Sequence, residues 1–221
     1  MPLNLATSDA DFIPYLKYNA KAGRFYVRPK GASEDVEVMN PRLAFDMANI
    51  KTGWLFYQEG AGPEKVWDPS LTTPAPRPVG PKKFKRGFEV FVFGNDDLPV
   101  IGRLELREFS STAGNVTNVI NAMYTAYEAG MAANPGKVPF YKCDGVKPVV
   151  GAYGTNYEPQ FRLIAWIDRT KIPAFDEHVE KPAAPVAPAP QAAPPNGSNG
   201  YHAPIGGAAK VDPLLNDEIP F

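Results

Sequence analysis

Residues 77–88 place Arg77, Lys82, Lys83, Lys85 and Arg86 in a run with no acidic residue before Glu89, and set Phe84 among the cations. Cations so arranged neutralise phosphates and release counterions, while an exposed aromatic stacks on a nucleobase whatever its identity. The plainer alternative, a solvated basic loop with Phe84 tucked into the core, is the commoner fate of such a run. A second set lies at alternate positions, Arg24, Tyr26 and Arg28, with Lys30 just beyond. Alternate residues of a strand share one face. Cation, aromatic and cation would then line one side, which suits a single-strand groove and equally suits an ordinary outward sheet face. Arg103 and Arg107 repeat the spacing, with Glu105 between them to pair locally. Tyr153 and Tyr157 sit in the glycine-containing stretch 151–157 and are candidates for exposed stacking. Trp54, Phe56, Tyr57 and Trp67 are read mainly as core or rim packing, because aromatics dominate small cores.

The chain closes on Asn216, Asp217, Glu218, Ile219, Pro220 and Phe221. Phe221 offers a large apolar anchor, and its α-carboxylate can accept from a partner's Arg or Lys. Pro220 restricts the backbone beforehand and lowers the entropy lost on docking, and Asp217 and Glu218 add attraction to a basic rim. Catalytic chemistry is poorly supplied. The two histidines, His178 and His202, lie at the edge of the folded part and beyond it. There is no phosphate-binding loop, nucleophile elbow or metal-spaced histidine set. Cys143 is the single cysteine, so neither an internal disulfide nor a cysteine zinc site can form. Asp96, Asp97 and Glu105 would be the acids to hold a divalent ion, but beside Gly94 and Asn95 the two aspartates read as turn residues. The expectation is a binding protein with no catalytic residue, no cofactor and no metal.

Of the 26 aromatics in 221 residues, 24 fall in residues 1–180, which also hold nearly all the large aliphatics. That length suits one domain with a sizeable core. The same stretch carries 21 basic and 21 acidic residues within a formal net charge of -1, so a nucleic-acid site must come from local clustering. Residues 181–211 are rich in Ala, Pro, Gly, Asn and Ser and cannot bury enough apolar surface to offset their ordering entropy, so a disordered linker is expected there, before a docking tip at 212–221. No signal peptide is evident at the start and no apolar stretch reaches membrane-spanning length, which points to a cytoplasmic protein.

The elements that must position these residues follow from periodicity. Strands are expected at 24–28, 36–39, 54–59, 88–93, 100–109 and 161–168, and a helical turn at 41–49 with Leu43, Met47 and Ile50 as its apolar side. Proline-rich residues 69–82 read as an extended loop. Val116, Val119, Ile120, Met123, Tyr127 and Met131 form one apolar stripe, so 115–132 is the best helix, capped by Ser111 or Thr112 and ended by Asn134-Pro135-Gly136. Residues 138–150 read as a hairpin turning at Asp144-Gly145. Strands, one main helix and further strands give a mainly β fold, an OB-fold-like Greek-key barrel of five or more strands.

Adjacent acids followed by Ile-Pro-Phe after a Pro/Gly/Ala linker resemble the tip of the bacterial single-stranded DNA-binding proteins, and phage members of that group carry a similar acidic tail ending in Phe. Here Leu214, Leu215 and Asn216 stand where the cellular pattern continues its acidic run, which favours a phage or prophage form. The resemblance covers the tail alone. It implies sequence-independent binding and protection of single-stranded DNA in replication and recombination, near the nucleoid of a bacterial host cell, with Asp217 to Phe221 recruiting replication or recombination proteins and no membrane partner. Self-association is left open. The alternatives are a recombination mediator or annealing adaptor that binds DNA weakly, and a metal-dependent nuclease built on Asp96, Asp97 and Glu105.

Overall fold

The computed structural model describes residues 13–29, 32–58, 62–94, 106–151 and 154–177. Chain contacts separate Met1–Lys181 from Pro182–Phe221, and the second unit lies outside the described residues. The fold is mainly β, a curled open sheet forming a half-barrel, with one main helix. Its strands are β1 (Tyr15–Asn19), β2 (Arg24–Val27), β3 (Val36–Val38), β4 (Arg42–Phe45), β5 (Lys51–Phe56), β6 (Glu64–Trp67), β7 (Lys85–Gly94), β8 (Arg107–Ser111), β9 (Lys137–Gly151) and β10 (Gly154–Asp168); the helices are α1 (Gly114–Met131) and the short α2 (Ala174–Glu177). The sheet order is β10-β9-β4-β7-β8-β1-β2-β3, with β5 beside β7 and β6 beside β5.

β7 is the spine. Its first half pairs with β5, from Leu55↔Lys85 to Lys51↔Glu89, and its second half with β4, from Phe45↔Val92 to Leu43↔Gly94. β4 and β5 are thus one bent path along β7. A 3-10 turn at Met47–Asn49 makes the corner, and the Asp46 N–H still bonds the Phe91 carbonyl at 2.9 Å. The helical turn expected at 41–49 is corrected accordingly. The spacing of Leu43, Met47 and Ile50 is helical, but Leu43, Ala44 and Phe45 are all buried because β4 is wedged between β7 and β9. Tertiary pairing overrides the local period there.

The hairpin expected to turn at Asp144-Gly145 is also corrected. β9 runs unbroken through these residues and pairs along its whole length with β10. The partners pass from Val146↔Pro159 to Cys143↔Phe161, so β9 fits one extra residue there, a bulge that Gly145 accommodates at φ 129°. A second bulge at Ile164 of β10 restores the register, between Leu163↔Tyr141 and Ala165↔Phe140. Pro148 is tolerated because β4 reaches β9 only at residues 140–142, leaving that side of the arm without a strand.

The core is aromatic. Phe45 packs edge-on against Tyr141 and Phe161 at 5.6 and 5.4 Å, and Phe109 against Phe88 at 5.5 Å. α1 lays Val116, Ile120 and Met123 into the same core, so its stripe faces the sheet as its period requires. The helix begins after Ala113 with no side-chain cap; the Ser111 hydroxyl instead accepts from the Ala113 N–H at 3.1 Å. Where α1 crosses β10, Gly130 is needed for close approach: a Cβ there would lie 2.5 Å from the Trp166 ring. The two sides of the half-barrel touch at Tyr157, whose N–H donates to the Ala20 carbonyl at 2.7 Å and whose ring lies against Gly23, at φ 69°.

Candidate nucleic-acid interface

The proline-rich segment after β6 folds back over β5. Trp54 Nε1 donates to the Ala75 carbonyl at 2.9 Å, and Ala75 N donates to Asp68 Oδ1 at 2.8 Å. This fold-back brings two guanidiniums to one indole: Arg77 lies 5.6 Å and Arg86 5.4 Å from the Trp54 ring centre. Lys82 sits 5.8 Å from the half-buried Phe56 ring and bonds Glu64 at 2.5 Å. Strand register explains the grouping. Trp54 is opposite Arg86 on β7 and Val66 on β6, and facing residues of paired strands share a side.

Arg86 is held in a fork by Asp68, Nη1 to Oδ1 at 2.6 Å and Nη2 to Oδ2 at 2.5 Å. The Asp68 side chain is only 2% exposed. The Arg86 bond, with Thr52 and the Ala75 amide, holds its carboxyl well below the usual carboxylate range, against the opposing effect of burial. A depressed folded pKa means stability that is complete above the ordinary value of 3.8 and lost as pH falls below it toward the folded one. Asp68→Asn is therefore expected to lower stability near neutral pH and to flatten its fall with acid below about pH 4. Urea midpoints at pH 7, 4 and 3 measure this, and an unchanged acid slope in the variant would refute it.

Lys83 and Lys85 are exposed and have no ion-pair partner among the described residues, and neither has Arg77. Around Trp54 and Phe56 the surface therefore gathers three cations, Arg77, Lys82 and Arg86, with two acids, Glu64 and Asp68; exposed Lys83 follows Lys82 in the chain, and Lys85, opposite Leu55, falls on the other side of the strand pair. Phe84 is corrected: it is 9% exposed and packs on Phe56 at 5.6 Å, so the aromatics left at this surface are Trp54 and Phe56, which composition had assigned to the core or its rim.

Arg24, Tyr26 and Arg28 do share the outward face of β2, but β3 and the residue before it answer them with acids. Arg24 bonds Glu37 at 2.7 Å, Arg28 bonds Asp35 at 2.8 Å, and Lys17 of β1 bonds Asp35 at 2.7 Å. The Lys17 bond, then that of Arg28, keeps the Asp35 carboxyl below its ordinary range. This face is close to neutral, and the charge pattern within β2 alone could not reveal it. Arg107 is a correction as well. It is 3% exposed in the middle of the sheet, between β7 and the start of β1, so it is not part of the exposed surface. Tyr157 is half-buried and fixed, its carbonyl accepting from the Tyr18 hydroxyl at 3.0 Å and from Asn115 Nδ2 at 2.5 Å. Lys30, Arg103, Tyr153, Asp96, Asp97, Glu105, His178, His202 and the tip residues Asp217, Glu218, Ile219, Pro220 and Phe221 lie outside the described residues.

A buried ionic cluster that the sequence pattern does not show lies on the other side of β5–β7. Lys65 Nζ bonds Glu89 and Glu108, the latter at 2.6 Å, with Lys51 3.9 Å from Glu89 and the Trp67 ring 5.7 Å from each lysine. Burial, then the neighbouring Glu89 charge, pushes the Glu108 carboxyl up. For Lys65 burial acts downward, but the bonds to Glu108 and Glu89 outweigh it and the net direction is upward. Ser110 Oγ donates to Glu108 at 2.9 Å and accepts from the Tyr57 hydroxyl at 3.0 Å, so the cluster reaches the surface through two side chains. Among the described residues, no group of three His, Cys, Asp or Glu is placed to hold a metal ion, and no helix is long and apolar enough to cross a membrane. No protein-family model, curated protein or solved structure matches this chain.

Proposed function

We propose that the protein binds single-stranded DNA without sequence preference and protects it during replication or recombination. The observation that carries this reading is the surface around Trp54 and Phe56, where Arg77, Lys82 and Arg86 lie against two half-buried rings and the exposed Lys83 and Lys85 of the same run adjoin them in the chain. Cations take the phosphates, and rings accept unpaired bases of any kind. The tail supports the same reading from sequence alone: the segment Asp217 to Phe221 resembles the partner-docking tip of bacterial and phage single-stranded DNA-binding proteins, and we assign it the recruitment of other DNA-processing proteins. The work of the body is then holding the strand, and that of the tip is recruitment.

A titration of labelled oligo(dT) and of a duplex of equal length, repeated from 50 to 200 mM salt, tests it. The single strand is expected to bind the more tightly, with log affinity falling linearly in log salt by about 0.7 per phosphate contact. Equal affinity for both forms, or none for either, overturns the proposal.

A further inference from the structure

The basic surface does not end at Phe56. β1 and β8 run parallel but pair only at Tyr15↔Glu108 and Leu16↔Phe109. Beyond these residues the two strands separate, β1 toward its turn at Ala20 and β8 toward the start of α1. The space between them is a groove of about 820 Å³ lined by four tyrosines, Tyr15, Tyr18, Tyr26 and Tyr57, together with Lys17 and Ser110. Along this groove, among the described residues, Lys17 to Asn19 have β2 on one side only, and Ser110 and Ser111 have β7 on one side only. Main-chain edges thus face the opening from both walls.

Tyr18 and Tyr57 have committed hydroxyls. Tyr18 donates to the Tyr157 carbonyl at 3.0 Å, and Tyr57 donates to Ser110 Oγ at 3.0 Å while its side remains 47% exposed. Burial pushes both phenols above their ordinary value, so they stay neutral. What such residues present to a ligand is a fixed, neutral ring face, at little further cost in side-chain entropy.

The groove also continues the charged surface. Tyr57 follows Phe56, over which Lys82 lies, and the lining residue Pro63 precedes Glu64, which holds Lys82. By strand alternation Lys85, opposite Leu55, falls on the side of β5–β7 that Tyr57 continues, so one cation of the run shares that side of the sheet with the groove's Tyr57.

Resting on the proposed single-strand function, we infer that the tyrosine groove between β1 and β8 receives unpaired bases of the same strand whose phosphates lie on the Arg77–Lys85 surface. Bases enter by stacking on Tyr57 and Tyr26, and the open edges of β1 and β8 supply hydrogen bonds that suit any base. A duplex, with its bases already stacked inward, has nothing to place there. The groove thereby adds to Trp54 and Phe56 a second place that favours single strand over duplex, while the cations supply salt-dependent affinity for either.

The test uses the full chain and two probes of equal length, oligo(dT) and an abasic deoxyribose-phosphate strand. The Tyr26→Ala/Tyr57→Ala variant is expected to lose about tenfold or more on oligo(dT), with abasic binding and the salt slope unchanged. Tyr57→Phe, which keeps the ring, should retain oligo(dT) affinity within about twofold and so separates stacking from the Ser110 hydrogen bond. Ultraviolet crosslinking of an iodouracil-substituted strand should label peptides containing Tyr26 or Tyr57. If the double variant binds oligo(dT) as the wild type does, or loses equally on both probes, the groove assignment falls while the function stands. A wild-type chain that binds neither probe removes both.

Discussion

Charge reversal at three exposed positions, Arg77→Glu, Lys83→Glu and Lys85→Glu together, is expected to weaken oligo(dT) binding at least a hundredfold near 0.1 M salt. The size follows from counterion release. Each phosphate contact on a single strand contributes a salt slope of about 0.7, which at 0.1 M is about fivefold in affinity, so three contacts give about a hundredfold. Repulsion from the new carboxylates adds to that. The salt slope should fall by about 2 at the same time. None of the three side chains is paired with an acid among the described residues, so the urea midpoint should shift little. Arg86→Glu would be a poorer choice, because it would set a carboxylate against the buried Asp68 and unfold the loop that holds Trp54. An unchanged salt slope in the triple variant would mean that this surface does not carry the phosphates.

Local period was enough for some of this. The alternation of Arg24 to Arg28 and the stripe from Val116 to Met131 depend only on neighbours in the chain, and β2 and α1 form where those patterns place them, though Met131 at the end of α1 is exposed. The cation run at Lys82 to Arg86 is likewise visible as a string. Its aromatic partner was not. Phe84 lies inside the run and is buried, while Trp54, 23 residues before Arg77 and 32 before Arg86, is the ring the cations meet. That meeting is made by strand register and by the Trp54–Ala75 bond, neither of which leaves a local trace.

The same reason hides β6 and the acids of β3. Glu64 and Lys65 look like a solvated charge pair, yet Lys65 is the cation placed between the buried Glu89 and Glu108, so a charged residue is a requirement of that strand. Asp-Gly at 144–145 carries a strong turn signal, and the chain uses its conformational freedom for a bulge because β10 pairs with β9 on both sides of it. In each case the local preference is real, and a long-range pairing decides how it is spent.

The segment after β10 rests on one guanidinium, and its removal is expected to be the most destabilising single polar change in the body. Arg169 reaches across from the end of β10 to Asp46, Nη1 to Oδ1 at 2.6 Å and Nη2 to Oδ2 at 3.0 Å, and its Nε bonds Asp176 at 2.7 Å. The Arg169 guanidinium also lies 5.5 Å from the ring of the buried Phe175, which ties α2 to the same point. Asp46 is 0% exposed at the corner between β4 and β5, with Asn49 Nδ2 its other side-chain donor at 2.9 Å. Arg169→Ala leaves that carboxylate buried without its counter-charge, at a cost of about 3–5 kcal/mol. Arg169→Lys should recover only part of the loss, since an ammonium cannot fork onto Asp46 while also bonding Asp176. Asp46→Asn/Arg169→Ala should be less unstable than the sum of its single variants, because the penalty of the orphaned charge disappears with the charge. Urea unfolding of the four proteins checks this. Additive losses would show that Asp46 and Arg169 act independently, and that the corner at Asp46 is held by its Asn49 and backbone bonds instead.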